Sequence, residues 1–194
     1  VFDDFPVEEL IDIVDWTPFF ITWELAGKFP AILKDEKVGE QASEVFADAQ
    51  AMLKQIVEEK WLTAKGVIGL YPANSVNDDD IELYADESRG KTMTTLHHIR
   101  QQSERRGDRP NMCLTDYIAP KNSGVQDYLG AFAVTAGIGI DEHIERFEAD
   151  HDDYSSIMIK ALADRLAEAF AERMHELVRK DYWGYSSGEQ LDNE

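Results

Sequence analysis

The sequence predicts an α+β domain with a mainly antiparallel sheet. Three observations carry that expectation: helical periodicity is confined to the two ends of the 194-residue chain, short strand-like runs lie between them, and polar turns rather than helices separate those runs. With 43% hydrophobic residues the chain has the means to bury a substantial core. No internal repeat, low-complexity tract or linker interrupts it, so residues 1–194 are expected to form a single domain.

Taken in order, Val7 to Val14 gives one or two amphipathic turns. Thr17 is placed to cap a helix whose first position is Pro18, where φ is already right and no N–H is wasted; that helix runs to Ala26 and stops at Gly27. Glu40 to Trp61 is a longer helix with Val45, Phe46, Ala49, Met52, Leu53 and Ile56 along one side. The pattern then changes. Gly66 to Tyr71 and Ile81 to Tyr84 read as strands of a hairpin around the polar turn Asn77-Asp78-Asp79-Asp80. Thr92 to Ile99 fits a strand or the start of a helix, and Ser103 to Pro110 is a charged loop.

Beyond that loop, Leu114 to Ile118 and Tyr128 to Thr135 read as strands, the second so apolar that it is expected to be buried on both faces. Asp141 to Asp150 makes a short acidic helix. Asp152 or Asp153 caps the last helix, expected to reach about Trp183. Its apolar seam includes Tyr154, Ile157, Met158, Ala161, Leu162 and Leu166, and continues through Ala169, Phe170, Met174, Leu177 and Val178 at spacings of three and four.

Charge narrows the function classes. A formal net charge of -20, from 39 acidic and 19 basic residues, opposes binding to nucleic acid or to an anionic membrane surface and suits a basic or cationic partner. The single cysteine, Cys113, excludes an internal disulfide and a multi-cysteine zinc site, which fits a reducing, cytoplasmic setting. No signal peptide or membrane-length apolar run is present. Starting at Val1 and stopping at Asn193-Glu194, the sequence reads as a piece of a longer protein.

The segment Asp15-Trp16-Thr17-Pro18-Phe19-Phe20 places one carboxylate at a helix start beside dense aromatics. Asp15 can serve as a second cap over core aromatics, or as the anionic partner of a cationic ligand. Gly137-Ile138-Gly139 has the placement of a dinucleotide-binding turn, yet Glu142 stands where the third glycine belongs and would repel a pyrophosphate, so an ordinary strand-to-helix turn fits better. Glu148-x-x-His151 and Glu172-x-x-His175 match the spacing used in di-iron carboxylate bundles, although chance pairs are expected in so acidic a chain and two further glutamates would be needed. Adjacent His97 and His98 point apart in any regular element and read as structural. Asp164, Glu168 and His175 share one side of the last helix, within about 40° at ~100° per residue, with Glu172 close by. That stripe is a solvated face or a docking face for a basic or imidazole-bearing partner.

Several of these runs together resemble a known family. Asp15-Trp16-Thr17-Pro18-Phe19-Phe20, Leu70-Tyr71-Pro72-Ala73-Asn74, His97-His98-Ile99-Arg100-Gln101-Gln102, Ala119-Pro120-Lys121 and Gly130-Ala131-Phe132-Ala133-Val134-Thr135 are part of the match. It continues from His151-Asp152-Asp153-Tyr154 through Lys160-Ala161-Leu162-Ala163-Asp164-Arg165-Leu166-Ala167-Glu168 to Tyr182-Trp183-Gly184-Tyr185. These look like the reactivation domain of cobalamin-dependent methionine synthase, over almost the whole chain. The resemblance implies a C-shaped α+β fold around a twisted antiparallel sheet, and an S-adenosylmethionine-binding module in a cytoplasmic methyltransferase that makes methionine from homocysteine.

In that family the module serves the reductive methylation of oxidised cobalamin, with the electron coming from a flavodoxin-type donor. The resemblance makes Asp15 a contact for S-adenosylmethionine, whose α-ammonium and sulfonium both suit a fixed carboxylate. It sets Asp164 and Glu168 on the face toward the cobalamin module of the same polypeptide, where they are expected to receive the axial histidine once it leaves cobalt. Cobalamin and zinc belong to other modules of such an enzyme, so no catalytic acid, base or nucleophile and no metal ligand is expected here. The family's Arg-Pro-x-Pro-Gly-Tyr-Pro segment, which gives an arginine and backbone contacts to S-adenosylmethionine, occurs nowhere in the sequence; Arg109-Pro110 continues with Asn111-Met112. A partial domain and half a binding site are therefore expected. The readings from other classes are a carboxylate/histidine metal protein and a purely structural docking module.

Overall fold

A computed structural model describes residues 1–194 apart from 105, 106, 108 and 191–194. Most of the charged loop expected over Ser103 to Pro110 is described as irregular chain, while its residues 105, 106 and 108, like the terminal Asn193 and Glu194, lie outside the described residues. The chain forms an α+β fold of two compact units: Val1–Val67 with Phe132–Glu194, and Ile68–Ala131. No helix among the described residues is long and apolar enough to cross a membrane.

The first unit contains most of the helices. Strand β1 (Phe2–Phe5) pairs antiparallel with the start of β2 (Thr63–Val76), through Phe2 opposite Gly66 and Phe5 opposite Ala64. A 3-10 turn over Val7–Ile13 leads to α1 (Trp16–Thr22), and a second at Ala31–Lys34 leads to α2 (Gly39–Glu58). The end of β5 (Asp127–Ile138) turns through Gly139 into α3 (Ile140–Ala149), which is followed by α4 (Asp153–Leu177). Asp152 caps α4 by accepting from the Ser155 N–H at 2.9 Å, and a π-turn over Val178–Tyr182 ends it earlier than the sequence suggested.

α4 is the spine of this unit. Met158, Ile159, Leu162, Leu166, Phe170 and Met174 are buried along it, as the periodicity requires. Tyr154 and Ile157 depart from that seam and are 41% and 45% exposed. Tyr154 instead donates to Asp48 at 2.8 Å, and burial together with that carboxylate pushes its phenol up to about 12. The Phe170 ring lies 4.6 Å from that of Phe5 and against Gly66, where an added Cβ would come within 2.9 Å of it.

The second unit is built on antiparallel pairing of the far half of β2 with β3 (Asp80–Tyr84), and of β3 with β4 (Thr92–His97). β5 pairs with β2. Ala73, Ile81 and Leu83 form the core of this unit, with Leu96, Ile118 and Leu129 packed against them. The ambiguous run from Thr92 resolves as a strand, and β2 extends past Pro72 to Val76. Pro72 falls between the residues of β2 that pair with β1 and those, Ala73 to Val76, that pair with β3, so its missing N–H interrupts neither of those two ladders.

Leu114–Tyr117 is a 3-10 turn, not the strand its apolar residues suggested. Asp116 closes the turn by accepting from the Cys113 N–H at 2.9 Å, while Arg100 holds the same carboxylate with two hydrogen bonds of 2.8 Å. The Arg100 guanidinium, with the Cys113 amide, lowers the Asp116 carboxyl to about 2.

Candidate functional site

Asp15 is the N-cap of α1: its Oδ1 accepts the Thr17 N–H at 2.9 Å. Thr17, the cap expected from the sequence, sits inside the helix and its hydroxyl accepts instead from the Phe29 N–H at 3.3 Å. Asp15 is in extended geometry, with φ -75° and ψ 110°, which aims its short side chain back over the first turn. One oxygen is thereby tethered to the backbone while the side chain stays exposed. The neighbouring aromatics do not form a cation cage. Trp16, Phe19 and Phe20 are 7%, 0% and 0% exposed and face inward, where Trp16 meets Phe46 edge-on at 4.8 Å and Phe20 stacks near Phe29 at 6.3 Å. They fix the backbone that carries Asp15.

A cleft of about 690 Å³ opens beside that carboxylate, within the first unit. Asp12, Ile13 and Asp15 line it from the N-terminal segment. Glu168, Ala169, Glu172, Arg173 and Glu176 line it from the second half of α4, and Arg179 with Glu189 complete the lining. The volume is in the range of small-molecule sites. The charges are unequal. Arg179 and Glu189 pair as a fork, with contacts of 2.7 to 2.9 Å, and Glu176 accepts from both Lys180 at 2.6 Å and Arg173 at 2.5 Å. Lys180 and Arg173 hold the Glu176 carboxyl below the usual carboxylate range, and Arg179 does the same for Glu189. Asp12, Asp15 and Glu172 have no cation within ion-pair distance among the described residues. The cleft can therefore accept a cation without first breaking an ion pair.

The fold has known counterparts. The sequence matches the family described as vitamin B12-dependent methionine synthase, activation domain, over residues 6–194. The chain belongs to that family. A solved structure described as the MetH reactivation domain bound to AdoHcy is 55% identical and superposes with a TM-score of 0.92. The alignment covers 98% of this chain and 58% of that one, so this activation-domain chain spans little more than half the length of its structural counterpart.

Within this family member, Asp164 and Glu168 lie one turn apart on α4, and the structure gives them different surroundings. Glu168 lines the cleft, whereas Asp164 does not. Both are held by Arg165, which contacts Asp164 Oδ2 at 2.7 Å and bonds Glu168 Oε2 through its other terminal nitrogen. Sequence reasoning missed Arg165 because an i, i+1, i+4 triad of mixed charge leaves no periodic signal of its own. It also missed Glu189, whose irregular C-terminal segment carries no pattern, whereas Arg173, Glu176 and Arg179 were visible only as part of a charged helix.

The metal pairs do not assemble. Glu148 pairs with Lys160 at 3.6 Å, His151 sits at a helix break with φ 56°, and His175 packs edge-on against Phe132 at 5.0 Å. Among the described residues no group of three His, Cys, Asp or Glu side chains is placed to hold a metal ion. Gly139 is the N-cap of α3 at φ 99°, and a Cβ there would stand 2.8 Å from the Trp61 carbonyl oxygen. Turn geometry and close packing thus account for that glycine.

Proposed function

We propose that this chain is the S-adenosylmethionine-binding module for reductive methylation of oxidised cobalamin in a cytoplasmic methionine synthase. The observation that carries the reading is Asp15, tethered by its capping bond and exposed at the cleft, in a family whose solved relative is described as holding AdoHcy. The tether leaves the second carboxylate oxygen for the ligand's α-ammonium, and the unpaired Asp12 and Glu172 add a field that suits a sulfonium. The methyl sulfonium supplies the electrophile. The chain's own residues bind and orient it, and nothing in the cleft is asked to move a proton. Electron delivery belongs to a flavodoxin-type donor, and zinc and cobalamin to other modules.

Asparagine caps a helix about as well as aspartate, so charge and cap are separable at this position. Asp15→Asn should leave thermal stability within about 0.5 kcal/mol of the parent and weaken S-adenosylmethionine binding roughly 10- to 100-fold, the loss of one charge-assisted hydrogen bond. Asp15→Ala should lose both affinity and about 1 kcal/mol of stability. Calorimetric or NMR titration beside thermal unfolding reads both quantities, and unchanged affinity in Asp15→Asn would remove the proposed contact. Binding by this chain is itself expected to be weak or undetectable, because this sequence lacks the arginine and backbone contacts of the Arg-Pro-x-Pro-Gly-Tyr-Pro segment.

Asp164 and Glu168 complete the proposal as the face that meets the cobalamin module and its displaced axial histidine. With Arg165 they form a triad of net charge −1, which suits one imidazolium. Asp164→Asn combined with Glu168→Gln should shift an intact enzyme away from its reactivation conformation. Unchanged reactivation kinetics in that double variant would exclude this role.

A further inference from the structure

We propose that the cleft discriminates by charge between the methyl donor and its demethylated product, holding the sulfonium form and releasing the thioether form. The inference rests on the proposed S-adenosylmethionine site and concerns how that site turns over. Transfer of the methyl group leaves its bonding electron pair on sulfur, so a positively charged sulfonium becomes a neutral thioether. The nucleoside, the α-ammonium and the carboxylate are unchanged. Every contact to those parts is common to both ligands and cancels in the comparison, leaving the field at sulfur as the difference.

The charges lining the cleft favour the sulfonium form. Of its six lining carboxylates, Glu168, Glu176 and Glu189 already have arginine or lysine partners, and its two lining arginines are both engaged. Asp12, Asp15 and Glu172 form no ion pair among the described residues, although Arg179, held by Glu189, still lies within electrostatic reach of Glu172. The α-ammonium can neutralise one of these, which leaves two negative charges facing a ligand whose only other cation is the sulfonium. After methyl transfer that cation is gone, and only the more distant Arg179, already bonded to Glu189, partly offsets Glu172. Solvent reaches all three side chains, so the effect is moderate and salt-sensitive rather than the deep-interior limit. The aromatic residues beside Asp15 contribute no competing recognition of the cation, since they face the core.

The test is a pair of titrations of the unmodified chain, read by NMR shift changes at up to millimolar ligand so that weak binding is still measured. S-adenosylmethionine should bind roughly three- to thirty-fold more tightly than S-adenosylhomocysteine at about 10 mM salt, and the ratio should fall toward one at about 1 M, where screening acts within ~3 Å. Glu172→Gln should reduce the low-salt ratio by weakening S-adenosylmethionine more than S-adenosylhomocysteine, and Asp12→Asn should do the same. Both positions are exposed, and the amide spectrum verifies folding in each variant. Equal affinities at low salt, tighter binding of the thioether, or a ratio independent of salt would overturn the inference while leaving the site itself in place. Saturation by neither ligand up to millimolar concentration would overturn this inference for the chain.

Discussion

Phe170→Ala is expected to destabilise the chain by about 3–5 kcal/mol, the range for deleting a fully buried phenylalanine ring. Its side chain is 0% exposed and sits where α4 meets β1 and β2 in the first unit. One face meets Phe5 at 4.6 Å, tilted by 34°, and the ring edge meets Gly66. Truncation would leave a void between a helix and two strands whose backbones are fixed by their own hydrogen bonds, so little collapse can refill it. At roughly 2–4 °C per kcal/mol for a chain of this size, the midpoint of thermal unfolding should drop by about 6–20 °C.

Gly66 supplies the control that ties this loss to packing. Gly66→Ala alone places a methyl group 2.9 Å from the Phe170 ring and should cost about 1–3 kcal/mol. With the ring removed, the same methyl group enters the void and the clash disappears. The two substitutions together should therefore cost less than their sum, by about 1 kcal/mol or more. Urea unfolding of the single and double variants measures this coupling, and strict additivity would show that the ring and the glycine do not meet as described.

The long helices α2 and α4 were legible because each carries several turns of consistent patterning, whereas the short α1 ends at Thr22 and not at Ala26. Met158, Leu162, Leu166, Phe170 and Met174 specify one face of α4 however the ends fray. Short segments were not legible in the same way. The five residues from Leu114 have a strand-like composition, but a side-chain bond from Asp116 to the Cys113 N–H and the Arg100 fork decide their conformation, and such bonds leave no period in a sequence. The sequence favoured Thr17 as the cap with Asp15 as a second, whereas the extended backbone of Asp15 gives it the N-cap position.

The same distinction applies to the cleft. From its residues alone Asp15 read as a cap or a cation partner, and only the family resemblance singled it out as a ligand contact. The opposite wall could be read as an acidic stripe, whereas its pairing could not. Whether Glu172 is free and Glu176 neutralised depends on where Arg173 and Lys180 point, a matter of rotamers and of the π-turn that ends α4. Under the proposed function, the side-chain partners decide which carboxylates are left without an ion pair to meet a cationic ligand.

In the second unit, Arg89→Leu is expected to cost about 3–5 kcal/mol, as three charge-assisted hydrogen bonds vanish and their acceptors lose partners. Arg89 donates to the Ala73 carbonyl at 3.0 Å, to Asn74 Oδ1 at 2.8 Å and to the Asp127 carbonyl at 2.7 Å. Its guanidinium also lies 5.5 Å and 5.4 Å from the Tyr84 and Tyr128 ring centroids. Asn74 makes this more than a local loss. It is 4% exposed, and its amide donates to the carbonyls of Ala119 at 2.9 Å and Val125 at 3.0 Å, so Arg89 orients a buried side chain that itself anchors the 119–125 turn. Leucine keeps much of the packing volume but leaves Asn74 Oδ1 buried without its cation. Arg89→Lys retains the charge on a single nitrogen that cannot span three acceptors, so it should recover only part of the loss. Urea midpoints should rank the parent first, then the lysine variant, then the leucine variant. Amide exchange should speed up at Ser75, whose N–H bonds the Ala119 carbonyl at 3.1 Å, and at Ala119, whose N–H bonds Asp127 Oδ2 at 2.7 Å. A leucine variant with parental stability and unchanged exchange at those two amides would show that the fork does not hold this unit together.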